Sequence, residues 1–167
     1  MSETANPQYC WTADAVPAGC RVGQVYGWLF DPHGRVLVQE TTGGWNLPGG
    51  SPEPVDPSHE ATLCREALEE SQVEIGAMAY LGYEWDPRKR ETALARYVGR
   101  ISAFRPRHPD PDGGRLHGRW LMPLEEACHL LSWADSGRSQ AAAAATIAVG
   151  RWGIPADRPT APPEHVD

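Results

Sequence analysis

CREALEES (64–71) sets Glu66, Glu69 and Glu70 within five consecutive positions, with Arg65 directly in front of them. Glutamate is a good helix former, and the favourable run from Pro57 to about Ser71 predicts a helix. Asp56 is placed to cap it, with Pro57 at the first helical position. At about 100° per residue the three carboxylates share an arc of about 100°. Ala61, Cys64, Ala67 and Leu68 fall on the other side. Such a helix docks its apolar side on a sheet and holds three acids outward together. A solvated acidic face has the same pattern, because like-charge pairs at helical spacing cost only about 0.2–0.5 kcal/mol each.

The loop upstream bears on that choice. LPGG (47–50) closes the Gly-rich segment TTGGWNLPGG (41–50) and ends fifteen residues before Arg65. Two successive glycines admit a tight turn, and they also let backbone approach a ligand with no side chain in the way. A hard divalent cation takes oxygen ligands, commonly carboxylates, water and substrate phosphate. A glycine carbonyl against three glutamates would suit one.

Outward from this core, VGQVYGWLF (22–30) and RVLVQE (35–40) read as strands joined by the turn DPHG (31–34). VEIGAMAYLGYEW (73–85) and TALARYVGRISAF (92–104) read as two more, around the polar turn 86–91. PLEEACHLLS (123–132) and the alanine-rich SQAAAAATIAVG (139–150) read as helices. The order β-β-loop-α-β-β-α-α predicts an α/β/α sandwich on a mixed β-sheet, occupying residues 21–154. Residues 1–20 read as a loosely attached N-terminal arm. PADRPTAPPEHVD (155–167) reads as a disordered tail by composition.

With 167 residues the chain fits one domain. A net charge of −7 excludes a general nucleic-acid or membrane-surface binder, though not a phosphorylated substrate, since a bound cation reverses the local sign. Cys10, Cys20, Cys64 and Cys128 form no C-x-x-C pair and read as reduced thiols in a cytoplasmic setting. No apolar run reaches membrane-spanning length, and the N-terminus has no signal-like pattern. Trp28, Trp85, Trp120 and Trp152 are candidates for the core. Arg96 and Arg100 share a side of their strand and reach either substrate phosphate or solvent. His59, His108, His117 and His129 read as surface residues.

GGWNLPGG followed by REALEES resembles the Nudix box, a glycine loop and an Arg-Glu-apolar-x-Glu-Glu helix. The preceding hairpin with DPHGRVLV is also similar to the start of Nudix domains. The resemblance covers roughly residues 22–132 and implies a Nudix fold. It implies Glu66, Glu69, Glu70 and the Gly49 carbonyl as ligands of Mg²⁺ or Mn²⁺, and Arg65 as the residue that orients the glutamates. Trp45 and Gly50 would border the substrate, with Arg96 a further contact. The activity implied is hydrolysis of the diphosphate linkage in a nucleoside diphosphate derivative, such as an ADP-ribose-like compound or a nucleoside triphosphate. The partner implied is a small-molecule nucleotide, and a homodimer is compatible with the chain. The other reading is a catalytically weakened Nudix domain that binds nucleotide or regulates.

Two departures from the box matter. Asp56 stands where the family has Glu, and eight residues rather than seven separate it from Arg65. Gln72 stands in place of the glycine after the helix, predicting an end without the left-handed stop. Family members often add an acid from a later loop, and Glu84, Asp86, Glu91, Asp110 and Asp112 are the candidates.

Overall fold

A computed structural model describes residues 9–167. Its strands are β1 (Cys10–Thr12), β2 (Arg21–Phe30), β3 (Val36–Thr41), β4 (Gly44–Asn46), β5 (Gly49–Gly50), β6 (Val73–Trp85), β7 (Thr92–Phe104), β8 (Gly118–Met122) and β9 (Glu164–His165). The helices are α1 (His59–Ser71), α2 (Leu124–Leu131) and α3 (Ala134–Trp152). The main sheet runs β1-β6-β7-β2-β3-β8-β9, with β4 on β3 and β5 on β2. It is mixed: β2 and β7 are parallel, and the other pairs are antiparallel.

The alternation along β2 explains the layers. Val25 and Leu29 point to the face that buries Leu63 and Ala67 of α1. Trp28 and Phe30 point to the opposite face, against Ala141, Ala144 and Ala148 of α3 and Ala127 and Leu131 of α2. A strand buried on both faces needs apolar residues at every position, which is why this segment reads as a nearly continuous run. The expected α/β/α sandwich follows, with α1 alone on one side. Small residues let α3 approach closely, and α3 begins earlier than expected, at Ala134.

The hairpin around DPHG is present, but β2 and β3 share one ladder pair, Phe30 with Val36. Beyond it they separate, and Gly49 and Gly50 take the freed edge of β2 opposite Tyr26 and Val25. That opening in the sheet positions the acidic helix beside the glycine loop.

Both ends of the domain differ from expectation. Cys10–Thr12 pairs with β6, so this part of the arm is integrated into the sheet; residues 1–8 lie outside the described residues. Residues 155–167, expected as a disordered tail, are packed. Ala156 is buried, Thr160 N–H donates to the His33 carbonyl, and β9 pairs with β8. The reason lies in two buried arginines. Arg35 donates to the Pro162 carbonyl and pairs with Glu164. Arg119 donates to the main-chain oxygens of Val166 (3.0 Å) and Asp167 (2.8 Å), as well as to those of Ser71 and Arg105. Composition describes the tail alone and misses the buried cations that hold it.

Trp28 is fully buried, whereas Trp85, Trp120 and Trp152 are half-buried. The four cysteines are free thiols. Among the described residues no helix is long and apolar enough to cross a membrane.

Removing residues 161–167 is expected to lower unfolding stability by at least about 2 kcal/mol, since buried hydrogen bonds to a charged group are lost. Urea denaturation checks this, and a change below about 0.5 kcal/mol would mean that the segment is dispensable.

Candidate active site

Helix α1 begins one turn later than Asp56. Ser58 is its cap, and the Ser58 hydroxyl accepts from Ala61 N–H at 3.1 Å. Asp56 is thereby released for another task. Its two oxygens accept from Arg65 Nε (3.1 Å) and a terminal nitrogen (2.9 Å), and from the Thr62 hydroxyl. Arg65 and the Glu53 amide hold the Asp56 carboxyl far below the usual carboxylate range. The same guanidinium donates to Glu66 (2.9 Å), Glu69 (3.2 Å) and the Ser51 carbonyl (3.0 Å). Asp56 raises the Arg65 pKa still further. Arg65 therefore ties the glycine loop, the loop carrying Asp56 and two of the three glutamates into one cluster.

The glutamates are not equivalent. Glu66 is buried, and a Cβ added to Gly50 would meet its carboxyl carbon at 2.4 Å, so any larger residue there would displace the carboxyl from its present place. Burial pushes the Glu66 carboxyl up to about 7, with Arg65 opposing the shift and Glu70 adding to it. Glu70 accepts from Gly49 N–H (3.2 Å) and from the Gln39 amide (2.9 Å). Burial raises its pKa as well. Gly49 thus touches the acids through its N–H; its φ of +151° and the Val25 carbonyl, 2.0 Å from an added Cβ, exclude any side chain there. Glu69 and Glu70 are half-buried, less enclosed than Glu66. Leu68, expected on the apolar side, is 42% exposed. Leu63 takes the docking role instead.

Of the late-loop acids, Asp110 reaches the site. One ligand atom each from Glu70, Asp110 and His117 lie within 4.8 Å of one another. His117 Nε2 is 3.5 Å from Asp110, so this histidine is part of the cluster, not a bare surface residue. The loop folds back through Asp110 N–H to the Arg115 carbonyl and Arg115 to the Thr42 hydroxyl. Nothing local in the sequence distinguishes Asp110 from Asp112, because the choice is made by this fold-back. Glu84 and Asp86 serve elsewhere: Glu84 pairs with Arg96, and Asp86 with Arg88.

Two further expectations, for Gln72 and Arg96, need correction. Gln72 does adopt the left-handed conformation, φ 50°, ψ 49°, and its N–H caps the helix. Its side chain compensates for the missing glycine by donating to the Glu69 carbonyl (2.8 Å) and accepting from Arg107 (2.6 Å). Arg96 is 2% exposed, bonded to Glu84 and Gln140, and it presents no free charge to a phosphate. Arg100 is exposed. Trp45 is half-buried beside Trp120, ring centroids 6.3 Å apart, with its indole on the α2 side of the sheet.

The donor set suits a hard divalent cation. Desolvation disfavours the anionic form of Glu66, which is buried, and of Glu70, which is half-buried; a bound cation relieves that cost, and oxygen donors predominate. Glu66, Glu69, Glu70 and Asp110 are the residues that can supply them.

The family model described as the NUDIX domain matches residues 21–144. No curated protein sequence matches the chain. Solved structures resemble it at the level of the fold. An ADP-ribose pyrophosphatase from Streptococcus suis is 18% identical with a TM-score of 0.57, covering 77% of this chain and 93% of its own. MutT, from work on Aliivibrio salmonicida and Vibrio cholerae, is 16% identical with a TM-score of 0.53, covering 72% and 96%. A NUDIX hydrolase from Nitrosomonas europaea is 15% identical with a TM-score of 0.54, covering 74% and 87%. The fold and the acidic helix define a Nudix-type hydrolase. The chain belongs to the Nudix family.

Cap and clamp are separable by substitution. Ser58→Ala is expected to cost about 1 kcal/mol of stability and to leave kcat/KM within twofold, roughly, of wild type. Asp56→Ala is expected to lower kcat/KM by about 10- to 100-fold through misplaced glutamates. Asp56→Glu is expected to recover part of that loss. Denaturation and steady-state hydrolysis read the two effects independently.

Gln72 yields an order of stabilities. Gln72→Ala keeps the left-handed strain and loses both side-chain bonds. Gln72→Gly loses the bonds but removes strain worth about 1 kcal/mol, so it is expected to be the more stable of the two variants by that amount.

Proposed function

We propose that the protein is a divalent-metal-dependent hydrolase that cleaves the diphosphate linkage of a nucleoside diphosphate derivative. The observation that carries this reading is the Arg65-held acid cluster facing Gly49 and Gly50 across the opening between β2 and β3. A solvated helix face would leave its acids exposed and unpaired; here Glu66 is buried and Glu70 is bonded on two sides.

Glu66, Glu69 and Glu70 would hold Mg²⁺ or Mn²⁺, with the Gly49 main-chain oxygen and Asp110 as further ligands. Bound there, the cation supplies charge neutralisation for the diphosphate and a lowered pKa for an attacking water. Arg65 holds Glu66 and Glu69 in register, and Asp56 fixes Arg65. Gly50 leaves room for the Glu66 carboxyl, and Gln39 orients Glu70 from behind. His117 Nε2 lies 3.5 Å from Asp110 at the edge of the cluster. The two departures from the box have structural compensations. Asp56 reaches Arg65 bidentately, and Gln72 makes the left-handed stop, so both support turnover over a binding-only module.

A panel of nucleoside triphosphates and sugar-linked nucleoside diphosphates, assayed with Mg²⁺ and Mn²⁺, tests the activity. Glu69→Gln and Glu70→Gln are each expected to lower kcat by at least about 100-fold, beyond the range typical of residues that only support a ligand. Turnover that survives both substitutions would remove these residues from the site. Metal binding has its own readout. A cation at about 100 times its Kd is expected to stabilise the wild type by about 2.7 kcal/mol, seen as a higher melting temperature that chelator reverses.

A further inference from the structure

The loop 105–117, between β7 and β8, brings Asp110 and His117 to Glu70, although residues 111–116 are exposed. An exposed segment delivers its side chains to one place when its root is fastened, because ordering free chain costs entropy. The fastening point is Gln72, the residue that stands where the Nudix box has glycine. Gln72 is fully buried. Its carbonyl accepts from Arg105 N–H at 2.7 Å, and its side-chain oxygen accepts from Arg107 at 2.6 Å. Its side-chain nitrogen donates to the Glu69 carbonyl at 2.8 Å. One amide side chain therefore joins the glutamate helix to the root of the loop.

Arg107 carries the connection onward. It is half-buried, and its second terminal nitrogen donates to the His117 carbonyl, ten residues along the chain. The ring of the same histidine lies 3.5 Å from Asp110 through Nε2. The contacts run from Glu69 through Gln72, Arg107 and His117 to Asp110, and the circuit closes where Asp110 and His117 meet Glu70. A planar guanidinium bridges two acceptors in fixed directions, which an ammonium does not. Glycine at position 72 would make the left-handed stop without strain and leave Arg107 no side chain to hold. The chain instead keeps a glutamine at φ 50°. Such strain persists where the surroundings over-determine a conformation, and it clusters at functional sites.

We propose that Gln72 and Arg107 are positioning residues that fasten the 105–117 loop to the end of α1, so that Asp110 and His117 stand against Glu70 and complete the cation site. The inference rests on the reading of the acid cluster as a divalent-cation site. It turns the residue that departs from the box into the attachment for a loop that glycine could not hold.

The test compares wild type with Gln72→Gly, Gln72→Ala, Arg107→Ala and Arg107→Lys. Mn²⁺ affinity is read from the electron paramagnetic resonance signal of the free ion. Each variant is expected to bind Mn²⁺ about 10- to 100-fold more weakly, the range for residues that support a metal's ligands. Gln72→Gly and Gln72→Ala are expected to lose equally although their stabilities differ. A loss that tracks stability, smaller in the glycine variant, would make Gln72 a purely structural residue and overturn its assignment. Arg107→Lys keeps the charge without the bridge, so wild-type affinity in that variant would overturn the role of Arg107. The double variant Gln72→Gly/Arg107→Ala is expected to be no weaker than either single one, as for two parts of one connection, and additive losses would overturn the pairing. Amide hydrogen exchange of residues 110–117, measured without metal, decides the fastening by itself. It is expected to rise about 10-fold in Gln72→Gly and Arg107→Ala, and unchanged exchange overturns the proposal. A wild type that binds no Mn²⁺ would instead overturn the cation reading, with the exchange data still deciding whether the loop is fastened here. Circular dichroism confirms that each variant is folded.

Discussion

One guanidinium organises this molecule's chemistry. Arg65 is held by Asp56 on one side and holds Glu66 and Glu69 on the other, with the Ser51 carbonyl as a further acceptor. Without a cation among them, three glutamates on one helix face would repel and turn to water. With Arg65 bidentate to Asp56, its remaining donors are aimed, and the acids are drawn toward the glycine loop. A single Arg can do this because its planar fork presents several donors in fixed directions, which a lysine ammonium does not.

The sheet makes room for that arrangement. Strands β2 and β3 part after one ladder pair, and the glycine pair fills the freed edge with backbone alone. Gly49 donates its N–H to Glu70, and Gly50 leaves space that the Glu66 carboxyl occupies. The pressure on Glu66 and Glu70 to be neutral comes first from burial. Packing and electrostatics are therefore one design: the same close approach that needs glycine also desolvates the acids and favours a positive charge beside them.

What was legible in the sequence follows from what is local. The hairpin strands, α1 and the long pair β6–β7 announce themselves by periodicity and turn residues, and the Arg-Glu-x-x-Glu-Glu spacing places the acids on one face whatever the rest of the chain does. Long-range facts were hidden. Asp56 reads as a cap because it precedes Pro57, yet its partner, Arg65, lies nine residues along the chain. Gln72 lacked the conformational freedom of glycine, but Arg107 and the Glu69 carbonyl hold its side chain. The last thirteen residues carry few signals of order, and Arg35 and Arg119, far off in sequence, supply it. Asp110 and His117 come to Glu70 through a loop whose fold-back has no sequence signature.

Arg96 shows the same limit from the other direction. Period-two spacing placed it on one side of a strand, which is correct, and could not say what covers that side. Glu84, Gln140 and two rings enclose it, so its charge is consumed internally. An arginine spent this way gives order to the residues around it and no free charge to a ligand.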